Sequence, residues 1–350
     1  MKHSKTVLVL LPQTPFTIGG AEHLALALVD RLKEQGHRAA LVSVPFADCR
    51  YDVHVRTAMA WRMVDVTEWN GVRIDAVIPL KWPAYLADHP HKVVWLCHQY
   101  RGVYDLWDKP PLGIAASPES RALKDQIERM DRATLPESTA IYAISKNVRD
   151  RLQRYNGLRA EHLYPPLPRE GEYFADDTYD DYILSVGRLN AMKRIRMLVE
   201  AFRYTKSPAR CLLVGNGPDR PEIEKAIREH QLEHKVKLLN YLPWRDVLQL
   251  YARALGVYFA PVDEDYGYIT IEAFTSERPV LTATDSGGSL EFVRHGENGF
   301  VLPPKPKAFA EAIDRLWYDR SLARKMGREG KSCVAGITWA NAIATLAQHF

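Results

Sequence analysis

Tyr182-Ile-Leu-Ser-Val186-Gly187-Arg188-Leu-Asn-Ala-Met-Lys193 is the stretch that decides the architecture. The apolar run 182–186 reads as a buried strand, Gly187 as the turn that ends it, and 195–204 as the helix that follows. A glycine at a strand-to-helix junction lets a ligand approach the backbone closely. Arg188 and Lys193 set two cations at the carboxyl end of that strand, where a diphosphate would need neutralising. Taken alone, an Arg and a Lys flanking a turn are equally ordinary surface residues.

The same rhythm extends in both directions. Downstream, 211–214, 236–239, 257–260 and 280–282 read as strands with helices between them, 221–230 among these. Upstream, 7–11, 39–44, 75–80, 93–97 and 139–144 read as strands. Residues 22–35 form a helix with Leu24, Leu28 and Leu32 on one face and Gly36 as its stop, and 146–155 form a helix capped by Ser145. Alternating strands and helices imply parallel sheets covered on both faces. The rhythm breaks once, at Tyr164-Pro-Pro-Leu-Pro168 and the acidic run 170–181. The expected organisation is therefore an α/β chain of two doubly wound, Rossmann-like domains. These are 1–168 (acceptor side) and 169–333 (donor side), with a C-terminal helix within 334–350 packing back toward the first. Ligands bind such sheets beyond the carboxyl ends of the strands, which puts the site in a cleft between facing domains.

Composition narrows the function. The 350 residues are 46% hydrophobic and 26% charged, values of a folded globular protein. Residues 1–168 carry 22 Lys and Arg against 18 Asp and Glu, while 169–350 carry 25 of each. The basic excess of the first half suits an anionic acceptor or peripheral contact with an anionic membrane surface, and equally ordinary surface charge. No Lys/Arg run is interleaved with aromatics, so nucleic acid is excluded. Lys2 and Lys5 before the run 7–11 resemble a leader, but Pro12 ends the run too early and no cleavage site follows. No apolar run approaches membrane-spanning length. The expected location is cytoplasmic, or peripheral at the inner face of the membrane. Cys49, Cys97, Cys211 and Cys333 show no metal-binding spacing, and no HExxH is present, so no metal site is expected. Cys97 and Cys211 lie in apolar runs and read as core residues.

A second constellation is Phe259-Ala-Pro-Val-Asp-Glu264-Asp-Tyr-Gly267-Tyr268-Ile269-Thr-Ile-Glu272-Ala-Phe. Two glutamates flank a glycine after a strand, and the second is read as opening a helix. The N–H groups at a helix start bind phosphate, and carboxylates accept from the paired hydroxyls of a ribose or hexose. The plain alternative is an acidic residue that only complements the helix dipole.

These motifs together resemble the retaining glycosyltransferases of family four. Glu264-x7-Glu272, preceded by Gly187-Arg188 and Lys193, is similar to that family's donor motif. Thr284-Asp-Ser-Gly287-Gly288-Ser-Leu-Glu291 with Gly296-Glu-Asn-Gly299, and Gly19-Gly20-Ala21-Glu22 at the first helix, are similar to it too. The likeness is most specific from Ile183 to Phe300. It implies a GT-B fold and the transfer of a hexose-type sugar from a UDP- or GDP-sugar to an acceptor hydroxyl of a saccharide or lipid-linked saccharide. Neither cofactor nor catalytic metal is implied. It further implies that Arg188 and Lys193 hold the diphosphate, and that the backbone of Gly267, Tyr268 and Ile269 meets the distal phosphate. Glu272 would bind the ribose and Glu264 the transferred sugar. Gly19 and Gly20 would close over the phosphates, and His98 would touch the sugar.

The chain departs from the family pattern at Tyr266, where phenylalanine is common. Tyr100, Tyr104, Trp107 and Lys109 have no family role and read either as an acceptor wall or as packing. Two rival functions remain open on the sequence: a nucleotide-sugar epimerase of the same fold and a non-catalytic sugar-nucleotide binding module. The complete set Arg188, Lys193, Glu264 and Glu272 argues against the module.

Overall fold

The computed structural model describes residues 4–46 and 51–350, so Lys2 and Cys49 lie outside the described residues. The chain divides into two units, Met1–Pro168 with Ile337–Phe350, and Arg169–Gly336.

The first unit runs β1 (Thr6–Gln13), α1 (Gly20–Glu34), β2 (Arg38–Pro45), α2 (Tyr51–Met63) and a short antiparallel pair, β3 (Glu68–Trp69) and β4 (Val72–Arg73). It continues through β5 (Ala76–Pro79), β6 (Val93–Leu96), α3 (Pro118–Thr134), β7 (Ala140–Ala143), α4 (Lys146–Asn156) and β8 (Glu161–His162). Strands pair in parallel in the orders β2-β1-β5 and β6-β7-β8. Parallel bridges from Val77 to Lys92 and from Lys81 to His98 join β5 to β6. Val7, Val9 and Leu10 of β1 have no exposed surface, which is what a parallel strand covered on both faces requires. Leu24, Leu28 and Leu32 are the buried stripe of α1, and Gly36 ends the helix with a left-handed φ of 86°. Ser145 caps α4 by accepting the Val148 N–H at 3.0 Å.

The second unit runs β9 (Tyr182–Val186), α5 (Ile195–Ala201), β10 (Arg210–Val214), α6 (Arg220–Glu229), β11 (Val236–Leu239) and α7 (Trp244–Arg253). It continues through β12 (Gly256–Tyr258), α8 (Tyr268–Thr275), β13 (Val280–Ala283), β14 (Gly299–Leu302), α9 (Pro306–Tyr318) and α10 (Arg320–Val334). Its strands are all parallel, in the order β11-β10-β9-β12-β13-β14. That is the Rossmann order, and its switch point lies between β9 and β12. The core gathers Ile183, Leu198, Leu213, Tyr258, Leu281, Phe309 and Met326, with Cys211 fully buried among them. After Gly336 the chain ends in α11 (Trp339–Leu346), which belongs to the first unit. There Trp339 donates its indole N–H to the Leu167 carbonyl at 2.9 Å and meets Trp95 edge-on.

Several expected elements come out shorter, among them the strands read over 75–80, 139–144 and 257–260, and the largest shortening falls on a helix. The helix read over 195–204 stops at Ala201, because the N–H groups of Phe202, Arg203 and Tyr204 bond to carbonyls three residues back rather than four.

Candidate functional site

The switch point of the second unit collects most of the motif residues. Gly187 and Gly215, at the ends of β9 and β10, have φ of 132° and 136°, and a Cβ on Gly215 would stand 2.1 Å from the Gly187 carbonyl oxygen. The two loops touch backbone to backbone, and only glycine permits it. Arg188, next in the chain, is exposed. It makes no ion pair with any of the described residues. The Asn190 side chain accepts the Lys193 N–H at 3.2 Å, shaping the turn that carries Lys193. Lys193 Nζ reaches Glu264 Oε2 at 2.5 Å and lies 5.1 Å from the centre of the Phe259 ring. Arg194 is locked beside it by a bidentate pair with Asp285 at 2.7 and 2.6 Å, and that pair holds the Asp285 carboxyl below the usual carboxylate range.

The motif 284–291 is the seat of the glutamate loop. Asp263 N–H donates to Asp285 O at 2.9 Å, Glu264 N–H to Ser286 O at 3.2 Å, and Gly288 N–H to Glu264 O at 2.7 Å. A Cβ on Gly288 would meet Asp265 O at 2.5 Å, so glycine is needed for the two loops to lie together. Gly267, with φ of 89°, opens α8. No side chain caps this helix, and its first turn holds no acidic residue. Neither a cap nor a first-turn acid offsets the positive end of its dipole, which favours an anion there. Tyr268 and Ile269 are its first residues, and Ile269 Cδ1 stands 3.6 Å from where a Gly187 Cβ would be, so the helix start abuts the β9 turn.

Glu272 corrects the reading that it opens the helix: it is the fifth residue of α8, in the second turn, and the dipole-complementing alternative goes with that reading. Its Oε2 accepts the Tyr251 hydroxyl at 2.6 Å, and the Tyr173 hydroxyl lies close enough to the same carboxyl to favour its ionised form. Burial pushes the carboxyl pKa up, while the two tyrosine hydroxyls oppose the shift. Nothing in the spacing of the sequence marks Tyr173 or Tyr251. The first sits in the acidic run after the break, and the second reads as the apolar face of a helix.

The remaining candidates lie in the first unit. Gly19 is the N-cap of α1 and donates its N–H to Glu22 Oε2 at 2.8 Å, while Glu22 Oε1 accepts from Lys81 Nζ at 3.2 Å. Gly20, the first residue of α1, is exposed. His98 follows β6 and is half-buried. Its Nδ1 lies 2.6 Å from the Gln99 carbonyl, which only accepts, so Nδ1 carries a proton. Tyr104 is a buried group, donating to Asp131 at 2.7 Å, and Tyr100 pairs with His54 at 2.6 Å. Lys109 donates to the Asp105 carbonyl at 2.8 Å. Among the described residues no group of three or more His, Cys, Asp or Glu could hold a metal ion, and no helix is long and apolar enough to cross a membrane.

These two Rossmann-like units define the GT-B fold. A sucrose-phosphate synthase from Thermosynechococcus elongatus superposes with a TM-score of 0.78 at 17% identity, over 98% of both chains. HepE from Anabaena, in complex with UDP and glucose, superposes with a TM-score of 0.70 at 16% identity, again over 98% of both chains. Residues 174–332 match the family described as glycosyl transferases group 1. The alpha-1,3/1,6-mannosyltransferase ALG2 of Mus musculus is 34% identical over 123 residues, which is 35% of this chain and 29% of that protein. The alpha-D-kanosaminyltransferase of Streptomyces kanamyceticus is 26% identical over 215 residues, 56% of this chain and 55% of that protein. The chain thus spans between about a third and about half the length of these curated relatives.

Proposed function

We propose that the chain is a retaining glycosyltransferase that moves a hexose-type sugar from a nucleoside diphosphate sugar to an acceptor hydroxyl of a saccharide or lipid-linked saccharide. The observation that carries this reading is the convergence of exposed Arg188, the Lys193–Glu264 pair and the uncapped start of α8 at one switch point. The hard step is departure of the nucleoside diphosphate from an oxocarbenium-like sugar. Charge developing on the leaving oxygens falls between two cations and a helix N-terminus, which stabilise it without reorganisation. Gly267, Tyr268 and Ile269 offer backbone to the distal phosphate, and Glu272 accepts from the ribose hydroxyls. Glu264 touches the sugar, and the donor phosphate takes the acceptor proton on the same face. Gly19, Gly20 and His98 act from the first unit, the glycines on the phosphates and His98 on the sugar. Arg188 and Lys193 supply the positive charge, so the reaction needs no metal ion.

UDP is the first donor nucleotide to test, supported by the UDP-bound relative of the same fold, with GDP the second. The names of the relatives, a mannosyltransferase and a kanosaminyltransferase, support hexose-type donors and a place in polysaccharide or glycoconjugate synthesis. UDP- and GDP-hexoses are incubated with saccharide acceptors, with and without chelator, and the anomeric configuration of the product is read by NMR. An axial glycoside from an axial donor, formed only with acceptor and unaffected by chelator, is expected. Sugar inverted or isomerised without acceptor would overturn the transferase reading.

A further inference from the structure

The chain enters its second unit through a short segment that is pinned to α7. Glu172 accepts the Trp244 indole N–H at 2.8 Å, Arg169 stacks over the Trp244 ring at 5.3 Å, and Tyr173 meets the same ring edge-on at 5.6 Å. Tyr173 also packs edge-on against Tyr251 of α7, with ring centres 6.1 Å apart. Tyr251 has no exposed surface and Tyr173 is 9% exposed. The Tyr251 hydroxyl donates to the carboxyl of Glu272 at 2.6 Å, and the Tyr173 hydroxyl lies near enough to the same carboxyl for each to shift the other's pKa. Pinning of the segment by Trp244 and the buried rings leaves each hydroxyl a narrow range of positions, and the carboxyl inherits that restriction.

We propose that Tyr173 and Tyr251 are positioning residues of the nucleotide site, which hold the Glu272 carboxylate in the orientation that reads the two ribose hydroxyls. This rests on the donor reading of Glu272. A carboxylate has about four acceptor positions. The tyrosines occupy those facing α7 and leave the others to a cis-diol. Each tyrosine is a donor only toward Glu272, so the pair opposes the rise that burial imposes on the carboxyl and favours the ionised form, which accepts from a diol most strongly. Tyr173 extends the nucleotide site to the linker, which the family motifs do not reach.

The test compares UDP and GDP with their 2′,3′-dideoxy forms by calorimetry, on the full chain. The parent protein is expected to bind the better of the two nucleotides at least tenfold more tightly than its dideoxy form, because charge-assisted bonds to two hydroxyls are lost. Tyr251→Phe and Tyr173→Phe keep the rings and remove the hydroxyls. Each is expected to shrink that ratio by roughly three- to tenfold while leaving dideoxy binding unchanged. A merely structural role would weaken both ligands alike and keep the ratio, which would overturn the proposal. A parent ratio near one would overturn it as well, and would show that the failure lies in the ribose role of Glu272 rather than in the tyrosines.

Discussion

The ammonium of Lys193 and the carboxylate of Glu264 are 71 residues apart in the chain and 2.5 Å apart in space. Both side chains keep about a quarter of their surface exposed, so the pair is available to a ligand and contributes little to stability. Without donor, Glu264 neutralises Lys193. On the proposed reading, a bound diphosphate would compete for the same ammonium and leave Glu264 to the sugar. Lys193→Ala should weaken nucleoside diphosphate binding by about one to two decades, since a charge-assisted bond is lost. Glu264→Gln frees Lys193, so nucleoside diphosphate binding should be unchanged or slightly tighter while turnover falls by about one to two decades. Calorimetry with turnover assays on both variants checks this. The same loss of affinity in both would show that the two side chains act as one unit.

Arg188 is exposed and pairs with no carboxylate among the described residues. Its removal costs the fold nothing visible. Arg188→Ala should leave the thermal midpoint within a degree or two, weaken a nucleoside diphosphate by about tenfold or more, and leave the free nucleoside unaffected. Equal losses for both ligands would remove Arg188 from the diphosphate site.

Glu272 gives a prediction in which stability and binding part. Its pKa is raised in the folded state because burial outweighs the tyrosine bonds. A carboxyl with a raised folded pKa is fully tolerated below its unfolded value and costs stability as pH rises through the window up to the folded value. Glu272→Gln removes that cost and keeps an acceptor for Tyr251, so at neutral pH it should be as stable as the parent or more so, with weaker nucleotide binding. Glu272→Ala leaves the buried tyrosine hydroxyls without their acceptor and should cost about 1–3 kcal/mol. Urea unfolding of both variants at pH 5 and pH 8 tests the sign, and a Gln variant less stable than Ala would reverse the argument.

Asp131 is buried, accepts from Tyr104 at 2.7 Å, and is pushed up to about 7 by burial. Between the ordinary aspartate value of 3.8 and about 7 the unfolded chain is ionised there while the folded chain keeps its proton. Stability therefore falls as pH rises through that window, by at most about 1.4 kcal/mol per pH unit. Asp131→Asn should flatten this part of the profile relative to the parent. An identical slope in both proteins would assign it to other groups.

Much of the fold was legible because buried parallel strands declare themselves as short apolar runs, and the run 182–186 with Gly187 marked the site's own strand. The motif glycines were legible because glycine is demanded where backbones touch, as at Gly187 and Gly288, and such demands leave fixed spacings. What escaped was set by tertiary contact. The helix register that moves Glu272 into the second turn depends on Gly267 taking the left-handed region. Asp285 reads as a loop acid, yet it fixes Arg194 and seats the glutamate loop. Tyr173 and Tyr251 reach Glu272 across 99 and 21 positions of chain, and no local pattern encodes that.

Gly267 is where the backbone, the aromatic wall and the cation meet. Its φ of 89° is left-handed, and a Cβ there would lie 2.7 Å from Phe259 Cε1 and 2.8 Å from Ser289 Oγ. Gly267→Ala thus costs about 1–2 kcal/mol for the backbone and a further 1–3 kcal/mol for the overlap. Phe259 is buried and carries Lys193 over its ring, so it relieves the overlap only by displacing the cation or the start of α8. Nucleoside diphosphate binding should fall by at least tenfold in a variant that still folds. Gly36→Ala is the control, with a similar φ of 86° but nothing within 4 Å of the added carbon. It should lose stability by the backbone amount alone and bind the nucleotide as the parent does. Thermal unfolding and calorimetry on both variants separate the two effects. Full nucleotide affinity in a destabilised Gly267→Ala would show that the start of α8 does not meet the phosphates.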